Sequence, residues 1–268
     1  IGGAVAGLTK TLSHEWSEAT VRVVDLPEQL SATDPLVILG EALSRGGYRE
    51  IGLRDGVVHI AQTVDVEHTP TEHSLGVDTR WLITGGGRGI TAVVALDLAK
   101  RFPGGTFVLT GRTALTHEDP ASIDLEAERA RIKSAMKEAG DKVTPVAIGR
   151  ALKPFEAQKE IAETLAALTA AGAQSRYVAF DVSDAASTRK ALGEIGHVDV
   201  VVHGAGLEDS HFLMDKDTEV FDRVFITKVA GLIHLLDALT TNPRAVVAFT
   251  SVAGRYGNAG QVDYAAAN

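Results

Sequence analysis

Arg80-Trp81-Leu82-Ile83-Thr84-Gly85-Gly86-Gly87-Arg88-Gly89-Ile90 is the stretch that decides the fold of this chain. Five residues of strand character run into a cluster of glycines, and a helical pattern follows at once. Ile90, Val93, Val94, Leu98 and Phe102 recur at helical spacing, so the segment 90–102 has one apolar face. A glycine turn between a strand and a helix lets the backbone come close to a pyrophosphate, while the first helical turn offers unpaired amides and a positive dipole end. Thr84, Gly85, Gly87, Arg88, Gly89 and Ile90 are the candidate contacts. Three glycines in a row can be an ordinary loop, but their placement between strand and helix argues for the phosphate reading. The loop lacks the Gly-Lys-Ser/Thr ending of a nucleoside triphosphatase, which counts against ATP.

Outward from this unit, apolar runs of strand length occur at 106–110, 176–180, 199–203 and 245–250, with helical patterns between them. Strands alternating with helices imply a parallel sheet covered on both faces, so the expected fold is α/β, a doubly wound parallel Rossmann-type sheet. The second strand ends in Thr110-Gly111-Arg112-Thr113, where an acidic residue would otherwise grip a ribose 2′-hydroxyl. An arginine there suits a 2′-phosphate, and Arg88 lies in the neighbouring loop. Gly111 and Arg112 therefore favour NADPH over NADH.

Two regions break the rhythm. Residues 113–172 separate the second and third strands by more than one crossover needs, and read as an insert with helical patterns over 124–139 and 155–171. The second of these is expected to begin after Pro154. Lacking any catalytic constellation and carrying a charged helix, the insert is expected to lie peripheral to the chemistry, on a domain edge against a neighbouring domain. Upstream of the glycine loop, residues 1–70 show a helix pattern (4–16), a strand (21–26), a second helix (34–45) and a hairpin turning at Arg54-Asp55-Gly56. That is an α/β half-unit without a phosphate loop, joined through a polar linker at 71–79 to residues 80–268.

Composition sets outer limits. The 268 residues are 45% hydrophobic and 23% charged, which suits folded globular domains rather than disordered or fibrous chains. A net charge of −9 argues against a general attraction to nucleic acid or to anionic membranes. No apolar stretch approaches the roughly 18 residues of a membrane span, and no secretion-signal pattern opens the sequence, so a cytoplasmic location is expected. Zero cysteines exclude disulfides, thiol catalysis and cysteine-ligated zinc. None of the nine histidines forms a His-Glu-x-x-His motif.

The segment from Thr250-Ser251 through Tyr264-Ala265-Ala266-Ala267-Asn268 resembles the active-site segment of the short-chain dehydrogenase/reductase superfamily. More narrowly, it resembles the ketoreductase domain of type I polyketide synthases and polyunsaturated fatty acid synthases. The glycine loop, Phe180-Asp181-Val182, His203-Gly204-Ala205-Gly206, the run from Phe221 to Lys228, and the serine thirteen positions before the tyrosine all coincide with that family. The resemblance implies cofactor contacts at Asp181, Val182, His203, Gly204, Ala205 and Gly206. It implies catalytic roles for Lys228, Ser251, Tyr264 and Asn268. Many reductases place a lysine four residues after the tyrosine and an asparagine on the neighbouring helix; here Asn268 and Lys228 have exchanged places, as the resemblance implies for polyketide ketoreductases. Ketone reduction needs a proton at the oxygen as hydride reaches the carbon. Tyr264 would donate it, Lys228 would stabilise the phenolate, Ser251 would hydrogen-bond the carbonyl, and Asn268 would hold a relay water or the lysine.

Residues 1–70 resemble the end of the truncated, cofactor-free Rossmann-like structural subdomain that precedes the catalytic half of such ketoreductases. The implied function is NADPH-dependent reduction of a 3-ketoacyl thioester on an acyl carrier protein, with neighbouring megasynthase domains as partners. A catalytically silent docking domain is the competing reading, and the intact set Lys228, Ser251, Tyr264 and Asn268 discriminates against it. A free-standing reductase of small carbonyl compounds would not need the upstream half-unit. Thr91 stands where many reductases carry the last loop glycine, which predicts slightly wider helix-to-strand packing. Leu207-Glu208-Asp209 only partly matches the Leu-Asp-Asp signature of one stereochemical class, and Tyr256 stands where the other class has tryptophan, so the alcohol configuration stays open. Family members continue past the tyrosine helix with the substrate lid, so the sequence is expected to be a fragment lacking its C-terminal end and cut within a subdomain at Ile1.

Overall fold

The computed structural model describes residues 2–44, 49–67 and 75–268. In chain order the elements are α1 (Gly2–Glu15), β1 (Val23–Asp25), α2 (Asp34–Leu43), β2 (Glu50–Arg54), β3 (Val57–His59), β4 (Arg80–Thr84), α3 (Gly89–Arg101), β5 (Thr106–Gly111) and α4 (Leu125–Glu138). There follow α5 (Pro145–Ala170), β6 (Gln174–Ala179), α6 (Ala185–Ile195), β7 (Val200–His203), α7 (Thr218–Ala238), β8 (Ala245–Ala248), α8 (Val252–Tyr256) and α9 (Val262–Ala267). They group into two compact units. One comprises residues 1–73, 206–230 and 249–268, the other residues 74–205 and 231–248. The linker expected over 71–79 is described only from residue 75.

The second unit holds a five-stranded sheet in the order β6-β5-β4-β7-β8, with every pairing parallel. This is the expected doubly wound Rossmann-type sheet. A parallel sheet covered on both faces needs strands apolar on both sides. β7 is buried along its whole length and β4 in all but its first residue. On one face Leu82, Val108 and Val201 meet Phe180, Leu192 and Leu235 in a single cluster. Each such side chain, fully buried, contributes about 1.5–3 kcal/mol. Trp81 stacks on Phe107 with centroids 5.6 Å apart and tilts against Phe102 at 5.2 Å. Successive crossovers run from β4 out to β6, and then the chain returns to place β7 on the other side of β4. The carboxyl ends of β4 and β7 therefore flank the point where the strand order reverses, the place where open α/β sheets bind ligands.

Helix α5 corrects the sequence reading twice. It begins at Pro145 behind Thr144, whose hydroxyl accepts the Ala147 amide at 3.1 Å, rather than after Pro154, which lies inside the helix. A proline there removes an intrahelical bond at a cost of about 3 kcal/mol. Leu152, Ala157, Ile161 and Leu168 nevertheless continue one buried face across it, and their burial outweighs that cost. Nor is the stretch 113–172 simply inserted between the two strands. α5 is the crossover from β5 to β6, and it packs on β6, α3 and α4. Its buried Gln158 carboxamide accepts the Thr116 and His117 amides at 2.8 and 3.0 Å, fixing the loop that leaves β5.

In the first unit β1 pairs parallel to β2, which pairs antiparallel to β3. The hairpin turns on Asp55 (φ 51°) and Gly56 (φ 74°), the two positive φ values of a type I′ turn. The buried Asp34 carboxylate accepts the Ser31 and Gly56 amides, and those bonds, Ser31's foremost, hold its pKa below the usual range. Helix α1 packs on α8 and α9. Gly7 makes this possible, since a Cβ there would overlap the backbone carbonyl of Ala265.

Candidate active site

In the second unit the glycine loop leaves the end of β4 as the sequence predicts. Gly85 has φ 69°, and a Cβ on it would stand 3.1 Å from the Gly204 carbonyl and the Ala205 amide, so only glycine fits between the two strand ends. Gly89 has φ 60° with nothing within 4 Å of a Cβ, so the first turn of α3 faces open space. Arg88 is the N-cap residue of α3 and makes no side-chain cap bond, leaving the opening amides of the helix to a ligand. These features fit a dinucleotide pyrophosphate at the helix N-terminus. Ile90, exposed on the first turn, is placed to flank it.

Thr84 and His203 face each other across the ends of β4 and β7. Thr84 Oγ1 lies 2.8 Å from His203 Nδ1 and accepts the Ala205 amide at 3.2 Å, and both side chains are buried. They lock the two strand ends together and so set the spacing of the Gly85 and Gly204 turns. Thr91, expected to widen the packing, packs against Gly204. A Cβ on Gly204 would lie 2.5 and 2.6 Å from the Thr91 side-chain atoms, so the absent Cβ of Gly204 makes room for the methyl and hydroxyl of Thr91. Asp181 accepts the Ser183 amide and hydroxyl through Oδ1 at 2.9 and 2.7 Å, and the carbonyl of the buried Val182 accepts from His234 Nδ1 at 2.9 Å. Gly111 ends β5, with the exposed Arg112 beyond it.

In the first unit are all four predicted catalytic residues and Gly206. Lys228 sits on α7 with its Nζ 3.4 Å from where a Cβ on Gly206 would stand. Burial holds the Lys228 ammonium below the ordinary lysine pKa. Ser251 caps α8, its Oγ accepting the Ala253 amide at 3.2 Å, which leaves the O–H as donor. Tyr264 and Asn268 lie one turn apart, and Asn268 Nδ2 donates to the Tyr264 carbonyl at 2.8 Å. Asn268 Oδ1 is buried and has no hydrogen-bond partner among the described residues, a free acceptor of the kind a relay water needs. Helix α9 is pressed against α1 and α8.

Several residues have supporting roles that the sequence does not assign them. Lys216 Nζ donates to Asp263 Oδ1 at 2.8 Å and to the Asp209 carbonyl at 2.6 Å, with both side chains of the ion pair essentially inaccessible. Asp263 Oδ1 also accepts the Tyr264 amide at 2.8 Å. Glu15 on α1 takes the Leu213 and Gly260 amides, each at 2.9 Å, and so joins the segment around Leu213 to the turn that leads into the tyrosine helix. Glu208, whose pKa Ser210 and then Gln261 hold down by hydrogen bonding, joins the segment after Gly206 to the start of α9. In the second unit Thr164 donates to the Gly87 carbonyl at 3.0 Å, and Ile161 packs under the same glycine. A lone charged residue in a loop or helix gives no periodic signal, so only contacts disclose these roles.

Comparison with known proteins agrees with this geometry. The family model described as "KR domain" matches residues 79–268. The chain is 31% identical over 286 aligned residues to one of the subunits of the polyunsaturated fatty acid synthase of Thraustochytrium sp., covering 99% of this chain and 10% of that protein. It is 29% identical over 277 residues to polyketide synthase PksL of Bacillus subtilis, covering 98% of this chain and 5% of that protein. Among solved structures, a ketoreductase domain from the bacillaene assembly line matches with a TM-score of 0.70 and 27% identity, across 99% of this chain and 55% of that one. The chain thus spans a small part of its curated relatives.

Proposed function

From the premise that this chain belongs to the KR-domain family, as the match over residues 79–268 establishes, we propose that it reduces the 3-keto group of an acyl thioester carried by an acyl carrier protein. The product is the 3-hydroxyacyl thioester of polyketide or fatty acid synthesis, and NADPH is the reductant. The observation that carries this reading is the gathering of Lys228, Ser251, Tyr264 and Asn268 in one compact unit, with the tyrosine and asparagine on a single buried helix. Residues 1–70 serve as the end of a structural subdomain, 71–79 as a linker and 80–268 as the catalytic subdomain. The acyl carrier protein and neighbouring synthase domains are its partners, in the cytoplasm. Among the described residues no helix is long and apolar enough to cross a membrane.

The bound dinucleotide supplies the hydride. The chain's own residues supply the rest. Ser251 donates its hydroxyl proton as a hydrogen bond to the ketone oxygen, a donor aimed where negative charge develops. Tyr264 transfers the phenolic proton to that oxygen. The Lys228 ammonium stabilises the phenolate left behind, and its burial strengthens that interaction. The orphaned Oδ1 of Asn268 accepts a hydrogen bond from the water through which the phenolate is reprotonated. The Gly85–Ile90 loop and Arg88 and Arg112 hold the pyrophosphate and the 2′-phosphate.

The test is incubation with NADPH and a 3-ketoacyl thioester, following cofactor absorbance and identifying the 3-hydroxyacyl product by mass. Tyr264→Phe should abolish turnover with cofactor affinity kept, since one hydroxyl alone is lost. A folded protein that binds NADPH yet never forms the alcohol, on free or carrier-bound substrate, would instead establish a silent docking domain.

A further inference from the structure

Tyr177 lies on β6 opposite Leu109 of β5, three residues before the Phe180-Asp181-Val182 run, and no motif picks it out. Its half-buried ring fills the space between the two turns that the cofactor reading assigns to phosphate. On one side a Cβ on Gly87 would stand 3.3 Å from Tyr177 Cε2, and on the other a Cβ on Gly111 would stand 2.8 Å from the Tyr177 hydroxyl oxygen. The ring thus lies close against both glycines, with Ile161 at 2.8 Å the nearer neighbour of a Cβ on Gly87. The hydroxyl points at the very turn, Gly111-Arg112-Thr113, that bears the second arginine.

A tyrosine used only as filler would put its polar end in water or against a fixed acceptor. Here the hydroxyl sits among groups of positive character. Burial raises the phenol pKa, and the charge of Arg88 and the Thr113 backbone amide pull it partly back. The phenol is therefore a neutral donor at working pH, with the Thr113 amide on its oxygen and the Arg88 charge acting on it. A hydroxyl that accepts an amide N–H and donates its own proton is well matched to a phosphate oxygen, and each bond in such a chain polarises the next. Arg88 is only loosely engaged, its guanidinium 3.8 Å from Glu160 with both side chains about half exposed, so it can turn toward an incoming dianion.

We propose that the Tyr177 hydroxyl is a third donor to the 2′-phosphate of NADPH, beside Arg88 and Arg112. The inference rests on the NADPH reading above and adds a residue to it. The ring also spaces the Gly87 and Gly111 turns, so the phosphate subsite is floored by an aromatic group that reads the ligand with its one polar atom.

The test is calorimetric binding of NADP+ and NAD+ to the chain and to Tyr177→Phe, which keeps the ring and removes the hydroxyl. Loss of a hydrogen bond to a charged group weakens binding roughly 10-fold or more, so NADP+ affinity should fall by that factor while NAD+ affinity holds. The same split should appear between 2′,5′-ADP and 5′-AMP. In phosphorus NMR, the 2′-phosphate of bound NADP+ should titrate at higher pH in the variant, because a donor to its dianion is gone. If wild type prefers NADP+ but Tyr177→Phe leaves both affinities unchanged, or lowers both equally, Tyr177 is packing alone and the inference falls while the NADPH reading stands. If wild type binds NADP+ and NAD+ equally well, both fall. Matching melting temperatures for wild type and variant exclude a folding defect as the cause.

Discussion

Removing the Lys216 ammonium should unsettle the tyrosine helix more than any surface change. Lys216 and Asp263 form an ion pair whose side chains are 1% and 0% exposed, with Nζ and Oδ1 2.8 Å apart. Lys216→Met leaves the Asp263 carboxylate buried with the Tyr264 amide as its remaining hydrogen-bond partner, and Asp263 Oδ2 already has none among the described residues. Breaking such a pair from one side costs about 3–5 kcal/mol, because the stranded charge keeps its desolvation penalty. For a chain of this size that corresponds to a drop in melting temperature of roughly 6–20 °C. The double variant Lys216→Met/Asp263→Ala strands neither charge, so its cost should fall at least about 2 kcal/mol short of the sum of the single costs. Urea unfolding of the four proteins in the cycle measures this directly. If Lys216→Met costs less than about 1 kcal/mol, or if the two single costs simply add, the pair does not hold the helix and the reasoning fails.

Arg112→Ala should weaken NADPH roughly 10-fold or more with little change for NADH, and equal weakening in a fluorescence titration would refute the 2′-phosphate assignment. Gly204→Ala forces a Cβ against Thr91 and should cost about 1–3 kcal/mol of stability. Thr91→Gly in the same chain should recover most of that loss, and a double variant no more stable than Gly204→Ala would contradict the proposed complementarity. Burial makes the folded chain bind the Lys228 proton less tightly than the unfolded chain, so unfolding free energy should rise with pH on approaching the ordinary lysine value of 10.5. Turnover should fall across the same interval as the phenolate loses its cation. Lys228→Met should flatten the stability trend, and an unchanged pH slope in that variant would show that another group is responsible.

What the sequence disclosed follows from periodicity and from backbone demands. The five strands of the parallel sheet fall within two residues of their expected ends because continuous apolar runs bounded by polar residues admit few other structures. The Gly85–Gly89 loop was legible because only glycine tolerates its φ values and its approach to Gly204. The four proposed catalytic residues stand out only as a joint pattern, since each alone has an ordinary structural use. The start of α5 was misplaced because Pro154 is a local signal, whereas the buried face that carries the helix through it is set by tertiary packing. The place of Thr91 is hidden for a related reason. A side chain larger than expected looks like a defect until its neighbour, 113 positions along, is seen to lack a Cβ.

The hardest part to foresee was the support of the tyrosine helix by α1. Read alone, the upstream segment is a cofactor-free half-unit with no chemistry of its own. In the structure its first helix meets α9 so closely that Gly7 can carry no side chain, and Glu15 holds the amides of Leu213 and of Gly260, which lies two residues before the helix. Lys10 and Arg255 share the Glu50 carboxylate at 2.9 and 2.6 Å, which ties α1 and α8 to β2. A short helix such as α9, six residues long, has too few internal hydrogen bonds to hold a catalytic rotamer by itself. Its rigidity must come from what surrounds it. The upstream segment carries none of the proposed reacting groups, yet its first helix holds the backbone from which Tyr264 and Asn268 project.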